Sequence, residues 1–245
     1  MNPIIQSLFD RKSCRIFKDK EISQEERKLI LEACMQAPSA GNQQMYTIID
    51  VQDKKLQETL SKTCDNQPFI NQAEMVLIFC ADLQKWYDLF NHENCNPRKP
   101  GVGDLLLATT DATIAAQNAV VAAESLGIGS CYIGDILEQH DIHKELLNLS
   151  EYVVPVCMLV LGYPAEDHFK RQKPKRCKLE DIVCVDQYHR KNKQELKNMF
   201  EHKAVNKTLN EWATAFCNRK YNSDFSKEMT NSVQKYIDQF KSEAD

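Results

Sequence analysis

Three cations and a hydroxyl group stand close together near the start of the chain, in the stretch Arg11-Lys12-Ser13-Cys14-Arg15. In an extended segment alternate side chains point the same way, so Arg11, Ser13 and Arg15 would share one face, with Lys12 and Cys14 on the other. Two guanidinium groups and a hydroxyl on one face can hold a phosphate through charge-assisted hydrogen bonds. The alternative is a solvated edge whose cations pair with nearby carboxylates.

A second pair of cations, Lys173 and Lys175, repeats this alternate spacing far along the chain, with Pro174 between them. Together with Arg11 and Arg15 on the shared face of the first cluster, these two lysines would supply four cations around a single dianion. Neither cluster has the glycine-rich backbone cradle of a P-loop or of a dinucleotide-binding turn. A mononucleotide phosphate held by side chains therefore suits this sequence better, although such basic runs are more often solvated loops.

A third candidate segment, residues 37–44, reads "APSAGNQQ" and follows a predicted helix. Its small residues permit close approach of a ligand, and Ser39 and Asn42 offer hydrogen-bonding groups. From composition alone an ordinary polar turn is the commoner interpretation of such a segment.

The elements that would position these groups alternate irregularly between helices and strands. Helices are predicted to start at Pro3, to run from a capping box at Ser23 to near Pro38, and to cover 54–62, 104–126 and much of the chain beyond 186. Strands are predicted at 46–51, 75–80, near 131–133 and at 153–161, the second of them buried on both faces. This order favours an α+β fold with a mixed, mainly antiparallel sheet flanked by helices.

Two further segments carry expectations of their own. The stretch between Asp82 and Gly103 is interpreted as a loop, where Trp86, Tyr87 and Phe90 either line a pocket or form a local packing cluster. The helix over 104–126 is apolar nearly all round, which places it in the core or in a subunit interface. No window is interpreted as reaching the roughly 18 apolar residues of a membrane span.

Bulk composition excludes several classes of protein. The chain has 245 residues and a formal charge of −4, so no global positive field favours nucleic acid. Its 10 cysteines include no C-x-x-C pair and several lie in apolar runs, which argues against disulfides and a zinc site. The N-terminus shows no apolar signal core. We therefore expect a reduced, cytoplasmic protein without nucleic-acid or membrane partners.

The stretches "RKSCRIF", "APSAGNQQ", "DATIAAQNAVVAAESLGIGSCYIG" and "KPK" resemble, in order and spacing, the FMN-dependent nitroreductase family, especially its NADPH-preferring flavin reductase branch. The resemblance covers roughly residues 2–188. It implies a single α+β domain over 1–245 that forms an intertwined homodimer. Residues 186–245 would be a helical extension that wraps the partner subunit, and FMN would bind at the interface.

The resemblance also implies roles for individual residues. Arg11, Ser13, Lys173 and Lys175 would hold the FMN phosphate, and Arg15 would lie nearer the ribityl chain and the N1/O2 edge of the ring. Ser39, Asn42 and Gln67 would contact the ribityl chain and ring. The remaining expected cofactor neighbours are Lys12 and the run Tyr132, Ile133, Gly134 and Asp135, with the backbone of Gly134 near flavin N5.

Two positions depart from the family pattern. A second Gly is common where Asp135 stands, and Arg is common where Lys175 stands. Lys175 keeps the charge but loses the bidentate fork. If Asp135 faces the ring, its carboxylate should disfavour an anionic reduced flavin.

The implied activity is ping-pong hydride transfer from NADPH or NADH through FMN to a small-molecule acceptor such as a nitroaromatic, a quinone or a flavin. No side chain is then needed as a nucleophile. The six histidines are dispersed in the sequence and are interpreted as surface residues. Alternatives are a reductive dehalogenase or azoreductase on the same fold, and an FMN store or redox sensor without physiological turnover.

Overall fold

A computed structural model describes residues 1–241 and divides the chain into two compact units. The first comprises Met1–Arg171 and the chain from Glu228 onward, and the second is Gln172–Lys227. The first unit contains α1 (Pro3–Asp10), α2 (Gln24–Met35), β1 (Tyr46–Val51), α3 (Lys54–Thr63), α4 (Pro68–Asn71), β2 (Met75–Asp82), α5 (Gln84–His92), α6 (Val102–Ser125), β3 (Gly129–Ile133), α7 (His140–Leu146), β4 (Val153–Gly162) and α8 (Glu166–Lys170).

The second unit contains α9 (Leu179–Ile182), α10 (Lys193–Phe200) and α11 (Leu209–Lys220), and α12 (Asp224–Asp238) runs from it into the first unit. Its aromatic anchors form a short stack: the Trp212 ring lies 6.2 Å from Phe200 and 5.2 Å from Phe216. The helical character expected beyond residue 186 is thus confirmed. A single domain with an extension over 186–245 stays a prediction.

Local sequence chemistry sets the first two helix starts. The Asn2 side chain accepts a hydrogen bond from the backbone of Ile5 at 2.9 Å, ahead of Pro3 at the first helical position. Ser23 and Glu26 form the predicted capping box, each side chain accepting from the other residue's backbone N–H, at 3.2 and 2.9 Å. These contacts satisfy amide groups that a helix terminus leaves without partners.

The four strands of the first unit form one sheet in the order β1-β2-β4-β3, and all three pairings are antiparallel. The register of β2 against β4 shifts between Phe79 and Cys80, opposite Pro155. Proline cannot donate to a ladder, so a bulge at this place is where a sheet tolerates it. The expected α+β, mainly antiparallel architecture is confirmed.

Both faces of the central strands are buried. Leu77 and Phe79 of β2 pack on the side of α2 and α6, while Val76 and Ile78 pack on the side of α3 and α4. This confirms the prediction that the apolar run of β2 would be covered twice. The site described below therefore lies on a rigid, fully packed scaffold.

The long helix α6 buries one side, a stripe of small residues that includes Ala112, Ala115 and Ala119, against the sheet and α2. Its other side is exposed, with Leu106 and Leu107 64% and 52% accessible. By length and composition α6 could cross a membrane, so the interpretation that no window reaches this length was wrong. Its buried stripe shows that in this fold it acts as a core helix.

The stretch between Asp82 and Gly103 is not wholly a loop, because residues 84–92 form α5. The aromatic residues Trp86, Tyr87 and Phe90 stand at i, i+1 and i+4, a helical spacing that the loop interpretation missed. Tyr87 packs edge-on against Tyr152 at 5.3 Å, which anchors α5 to the core.

Candidate active site

The segment that follows α1 is extended and lies against the paired ends of β3 and β4. The backbone N–H of Cys14 donates to the Ser130 carbonyl at 2.8 Å, and that of Lys18 donates to the Tyr163 carbonyl at 2.7 Å. Phe17 forms a single antiparallel bridge with Pro164. The predicted extended conformation is therefore confirmed, and the sheet fixes it in place.

Two glycines make this close approach possible. Gly129 and Gly162 pair across β3 and β4. A Cβ atom on Gly129 would lie 2.7 Å from the Cβ of Cys14, and one on Gly162 would lie 2.7 Å from the ring of Phe17. Neither position has room for a side chain unless the segment moves away.

Ser13 and Arg15 interact with one thiol, that of Cys131 in β3, and Arg11 acts on the same thiol through its charge. Burial raises the pKa of Cys131, while the positive charge of Arg15, a hydrogen bond with Ser13 and the charge of Arg11 act in the opposite direction. The predicted shared face is thus confirmed for Ser13 and Arg15, whereas the place of Arg11 on that face stays a prediction. The Arg11 Nε is buried and has no hydrogen-bond partner among residues 1–241, which a buried donor seldom lacks.

Lys12 and Cys14 point the other way, as predicted. The Lys12 ammonium group donates to the carbonyl oxygens of Phe169, at 3.4 Å, and Arg171. The Cys14 side chain is fully buried. Of the residues expected near the phosphate, Lys12 is therefore directed away from the thiol of Cys131, and its contact with a cofactor stays a prediction.

The side chain of Arg15 contacts α4. Its guanidinium group lies 5.7 Å from the centre of the Phe69 ring. Two residues earlier, Gln67 donates from its side-chain nitrogen to the Cys64 carbonyl and to the Asp135 carboxylate, both at 2.9 Å. The structure thus places the Arg15 guanidinium group beside α4, the helix that directly follows Gln67.

The run Tyr132–Asp135 ends β3 and continues past it, with some side chains in the core and others toward the surface. Ile133 is buried in the core, so only its backbone can face a ligand. The half-buried Tyr132 places its hydroxyl 3.4 Å from the Gln117 side-chain oxygen, and burial raises the pKa of this phenol. Gly134 is exposed, and a Cβ there would meet no atom within 4 Å. That open backbone suits close approach by a flat ligand.

The loop with Ser39 and Asn42 is held by a buried carboxylate. Asp111 of α6, only 2% exposed, accepts from the backbone N–H groups of Ala40 and Met45 at 3.0 and 3.3 Å. Gly41, Asn42 and Gln44 all have positive φ, and the Ser39 hydroxyl accepts from Gln44 at 3.1 Å. The exposed Asn42 stands at the outer surface of this tightly wound loop.

Comparison with known proteins identifies the family. The sequence model of the Nitroreductase family matches residues 8–163. The chain belongs to the Nitroreductase family. It is 39% identical over 180 residues to the "FMN reductase [NAD(P)H]" of Bacillus subtilis, covering 71% of this chain and 70% of the relative. It is 34% identical over 189 residues to the "Oxygen-insensitive NADPH nitroreductase" of Salmonella typhimurium, covering 77% and 75%.

The fold comparison agrees with the sequence. The solved structure of B. megaterium NfrA2 superposes with a TM-score of 0.85 at 31% identity, covering 99% of this chain and all of that one. The nitroreductase resemblance expected from the four sequence stretches is therefore confirmed.

The residues present in this nitroreductase fit FMN. A half-buried Arg11 with a partnerless Nε, together with Ser13 and Arg15 on the same face, provides the donors that a phosphate monoester requires. The open backbone at Gly134 and the tethered amide of Gln67 lie near the same strand end. Lys173 and Lys175 belong to the second unit, and their approach to the phosphate stays a prediction.

A cavity of about 450 Å³ opens beside the Ser39–Met45 loop of this nitroreductase. Its wall includes Gln43 and Met45 of the loop and the aromatic side chains Trp86, Tyr87 and Phe90 of α5. The indole N–H of Trp86 donates to the Gln43 carbonyl at 2.9 Å, tying α5 to the loop. The aromatic residues thus line a pocket, and Trp86 and Phe90 also pack together at 5.6 Å.

Several features escaped the sequence reasoning. Three histidines interpreted as surface residues are buried: His140, His143 and His168. His143 bonds the Ile136 carbonyl and the Thr63 hydroxyl at 3.0 and 2.8 Å, a structural rather than catalytic arrangement. Asp111 was also missed, although a single carboxylate within an alanine-rich helix signals a buried polar contact.

Proposed function

We propose that this chain is an FMN-dependent NAD(P)H oxidoreductase that reduces nitroaromatics, quinones or flavins. The observation that carries the proposal is the extended Arg11–Arg15 segment held against β3, where Arg11, Ser13 and Arg15 act on the Cys131 thiol and the buried Nε of Arg11 has no partner in the described chain. The names of the two sequence relatives, an FMN reductase and an NADPH nitroreductase, support the same chemistry.

In this proposal Arg11 and Ser13 bind the FMN phosphate, and Lys173 and Lys175 add two positive charges. Guanidinium and hydroxyl donors on a fixed extended segment bind a dianion with little loss of side-chain freedom. Lys12 anchors the Arg11–Arg15 segment on its opposite face, by hydrogen bonds to the carbonyl oxygens of Phe169 and Arg171.

The other site residues would contact the ring and the ribityl chain of FMN. Arg15 would hold the N1/O2 edge, where its positive charge would stabilise negative charge on the ring. The backbone of Ile133 and Gly134, bordered by Tyr132, would hold the N5 side. Ser39 and Asn42 contact the ribityl chain and ring, and Asp111 keeps their loop in shape.

FMN held by these residues would supply the two-electron redox chemistry between NAD(P)H and the acceptor. The chain itself binds, orients and excludes water, and no covalent nucleophile is needed. The aromatic wall of Trp86, Tyr87 and Phe90 offers flat apolar contact to an aromatic acceptor, and the cavity volume of about 450 Å³ suits a molecule of one or two rings.

We also propose that the protein is a homodimer. Apolar side chains of α1 and α6 are exposed in the single chain, among them Ile4, Phe9, Leu106 and Leu107. Apolar surface of this kind marks an interaction site in a soluble protein. The ten free cysteines support a reduced compartment such as the cytoplasm.

Steady-state kinetics test the proposed activity. The FMN-loaded protein is assayed with NADPH and NADH against a quinone and a nitroaromatic, over a grid of both substrate concentrations. A single cavity that serves donor and acceptor in turn predicts parallel double-reciprocal lines. Absence of turnover with every acceptor would favour an FMN store or sensor over an enzyme.

A further inference from the structure

The side-chain amide of Gln67 is tethered at its nitrogen end. One N–H donates to the Cys64 carbonyl and the other to the Asp135 carboxylate, each at 2.9 Å. A primary amide has two donors and one acceptor oxygen, so both donors are used. The oxygen is the group left for a ligand.

The opposite orientation of this amide is disfavoured. Rotating the amide by half a turn would place the Gln67 oxygen against the Cys64 carbonyl and the Asp135 carboxylate. Three acceptors would then face one another without a proton between them, and two N–H groups would lose their partners. Asp135 thus selects one of the two amide orientations.

The backbone of Asp135 is fixed by a local hydrogen bond. It opens a short 3-10 turn, Asp135–Leu137, in which its carbonyl accepts from the backbone N–H of Glu138 at 3.1 Å. The Glu138 side chain is only 6% exposed, and its Oε1 has no partner among the described residues. Burial raises the pKa of Glu138 to about 8, and the charge of Asp135 acts in the same direction.

We propose that Asp135 is a positioning residue that fixes the Gln67 amide with its oxygen toward the site, where it accepts from an N–H or O–H donor of the bound flavin. This inference rests on the proposed function, since it requires a flavin at this end of β3. Asp135 acts through Gln67 and need not touch the ring.

A matched pair of variants separates this role from simple charge. Asp135→Asn keeps an oxygen that accepts from Gln67, whereas Asp135→Ala removes it, and both variants lose the same charge. FMN affinity is measured by quenching of flavin fluorescence. We expect Asp135→Ala to raise the Kd about tenfold, the effect of one lost hydrogen bond, and Asp135→Asn to change it less than about threefold.

Two outcomes would overturn the proposal. Equal Kd values for the Asn and Ala variants mean that charge, or nothing, matters at this position. A further loss of affinity when Asp135→Ala is added to Gln67→Leu means that Asp135 does not act through the amide. If the Ala variant does not fold, Asp135→Ser replaces it, because the serine hydroxyl is too short to reach Gln67.

The apoprotein gives a readout that needs no flavin. Hydrogen exchange of the Gln67 side-chain amide, assigned by NMR with Gln67→Leu, should be slow in the wild type and faster in Asp135→Ala. Fast exchange in the wild type contradicts the tether. A wild type with slow amide exchange that binds no FMN would instead refute the proposed function and leave the tether intact.

Discussion

The backbone of Gly129 lies so close to Cys14 that a methyl group on the glycine would stand 2.7 Å from the cysteine Cβ. This contact seats the extended segment against β3. We expect Gly129→Ala to lower the free energy of unfolding by about 1–3 kcal/mol through overpacking. Because Ser13 and Arg15 move with Cys14, FMN affinity should fall as well. Thermal unfolding and fluorescence titration measure the two effects.

Gly103→Ala is the matched control for this substitution. A Cβ on Gly103 would meet no atom within 4 Å, and the residue lies inside α6. Gly103 is the second residue of α6, where alanine is at least as favourable as glycine, so this variant should be no less stable than the wild type, with unchanged FMN affinity. A Gly129→Ala protein as stable as the wild type, with full FMN affinity, would contradict the close packing.

Arg11 should discriminate between FMN and riboflavin, which lacks the phosphate. Removing a hydrogen bond to a charged group costs about 1.5–3 kcal/mol, so Arg11→Ala should weaken FMN binding roughly ten- to a hundredfold. Riboflavin affinity should hardly change. Lys12→Ala is the control: its ammonium group faces the Phe169 and Arg171 carbonyls, so we expect a smaller loss. Equal losses for FMN and riboflavin would argue against a phosphate contact of Arg11.

Glu138 should make the protein less stable as the pH rises. Burial and the neighbouring Asp135 raise its folded-state pKa from 4.5 to about 8. Between these values the folded state binds the proton that the unfolded chain has lost, so the free energy of unfolding falls with increasing pH. Glu138→Gln keeps the shape without this titration. Urea unfolding from pH 5 to pH 8 should show a flatter profile for the variant, and identical slopes would contradict the prediction.

Asp111 should stabilise the Ser39–Met45 loop. Asp111→Ala leaves the Ala40 and Met45 N–H groups without their acceptor. Such losses at a buried charged group amount to about 2–4 kcal/mol, and FMN affinity should drop with loop order. Chemical denaturation gives the first quantity and fluorescence the second. Lys55→Ala, at an exposed position of α3, should change stability by less than about 0.5 kcal/mol.

The exposed side of α6 should be a subunit interface. Leu106 is 64% accessible in the single chain, and Leu106→Asp would bury a charge if a second copy covers it. Light scattering after size exclusion should then show a dimer for the wild type and a monomer for the variant. Gln24→Asp, an exposed position at the start of α2, makes the same charge change and should remain dimeric. A monomeric wild type would contradict the interface.

Features governed by neighbouring residues could be predicted from the sequence. The caps at Asn2 and Ser23 and the shared face of Ser13 and Arg15 depend on contacts or periodicity within a few residues. One local error, at α5, arose because aromatic residues were associated with a loop rather than tested for helical spacing.

Contacts between distant residues could not be predicted. Gln67 and Asp135 are 68 positions apart, and Ala40 and Asp111 are 71 apart. The sheet order and the packing of α6 bring these pairs together, and no local pattern encodes that arrangement. For the same reason Asp135 could be placed near the cofactor from the family resemblance, but its hydrogen bond to Gln67 could not.

The most direct test of the account is the visible absorption spectrum of the protein after incubation with FMN and desalting, repeated after anaerobic addition of NADPH. The account predicts that the bands of oxidised flavin remain with the protein and bleach when NADPH is added. A protein that emerges colourless from desalting, or whose bound flavin stays oxidised with both NADPH and NADH, would contradict it.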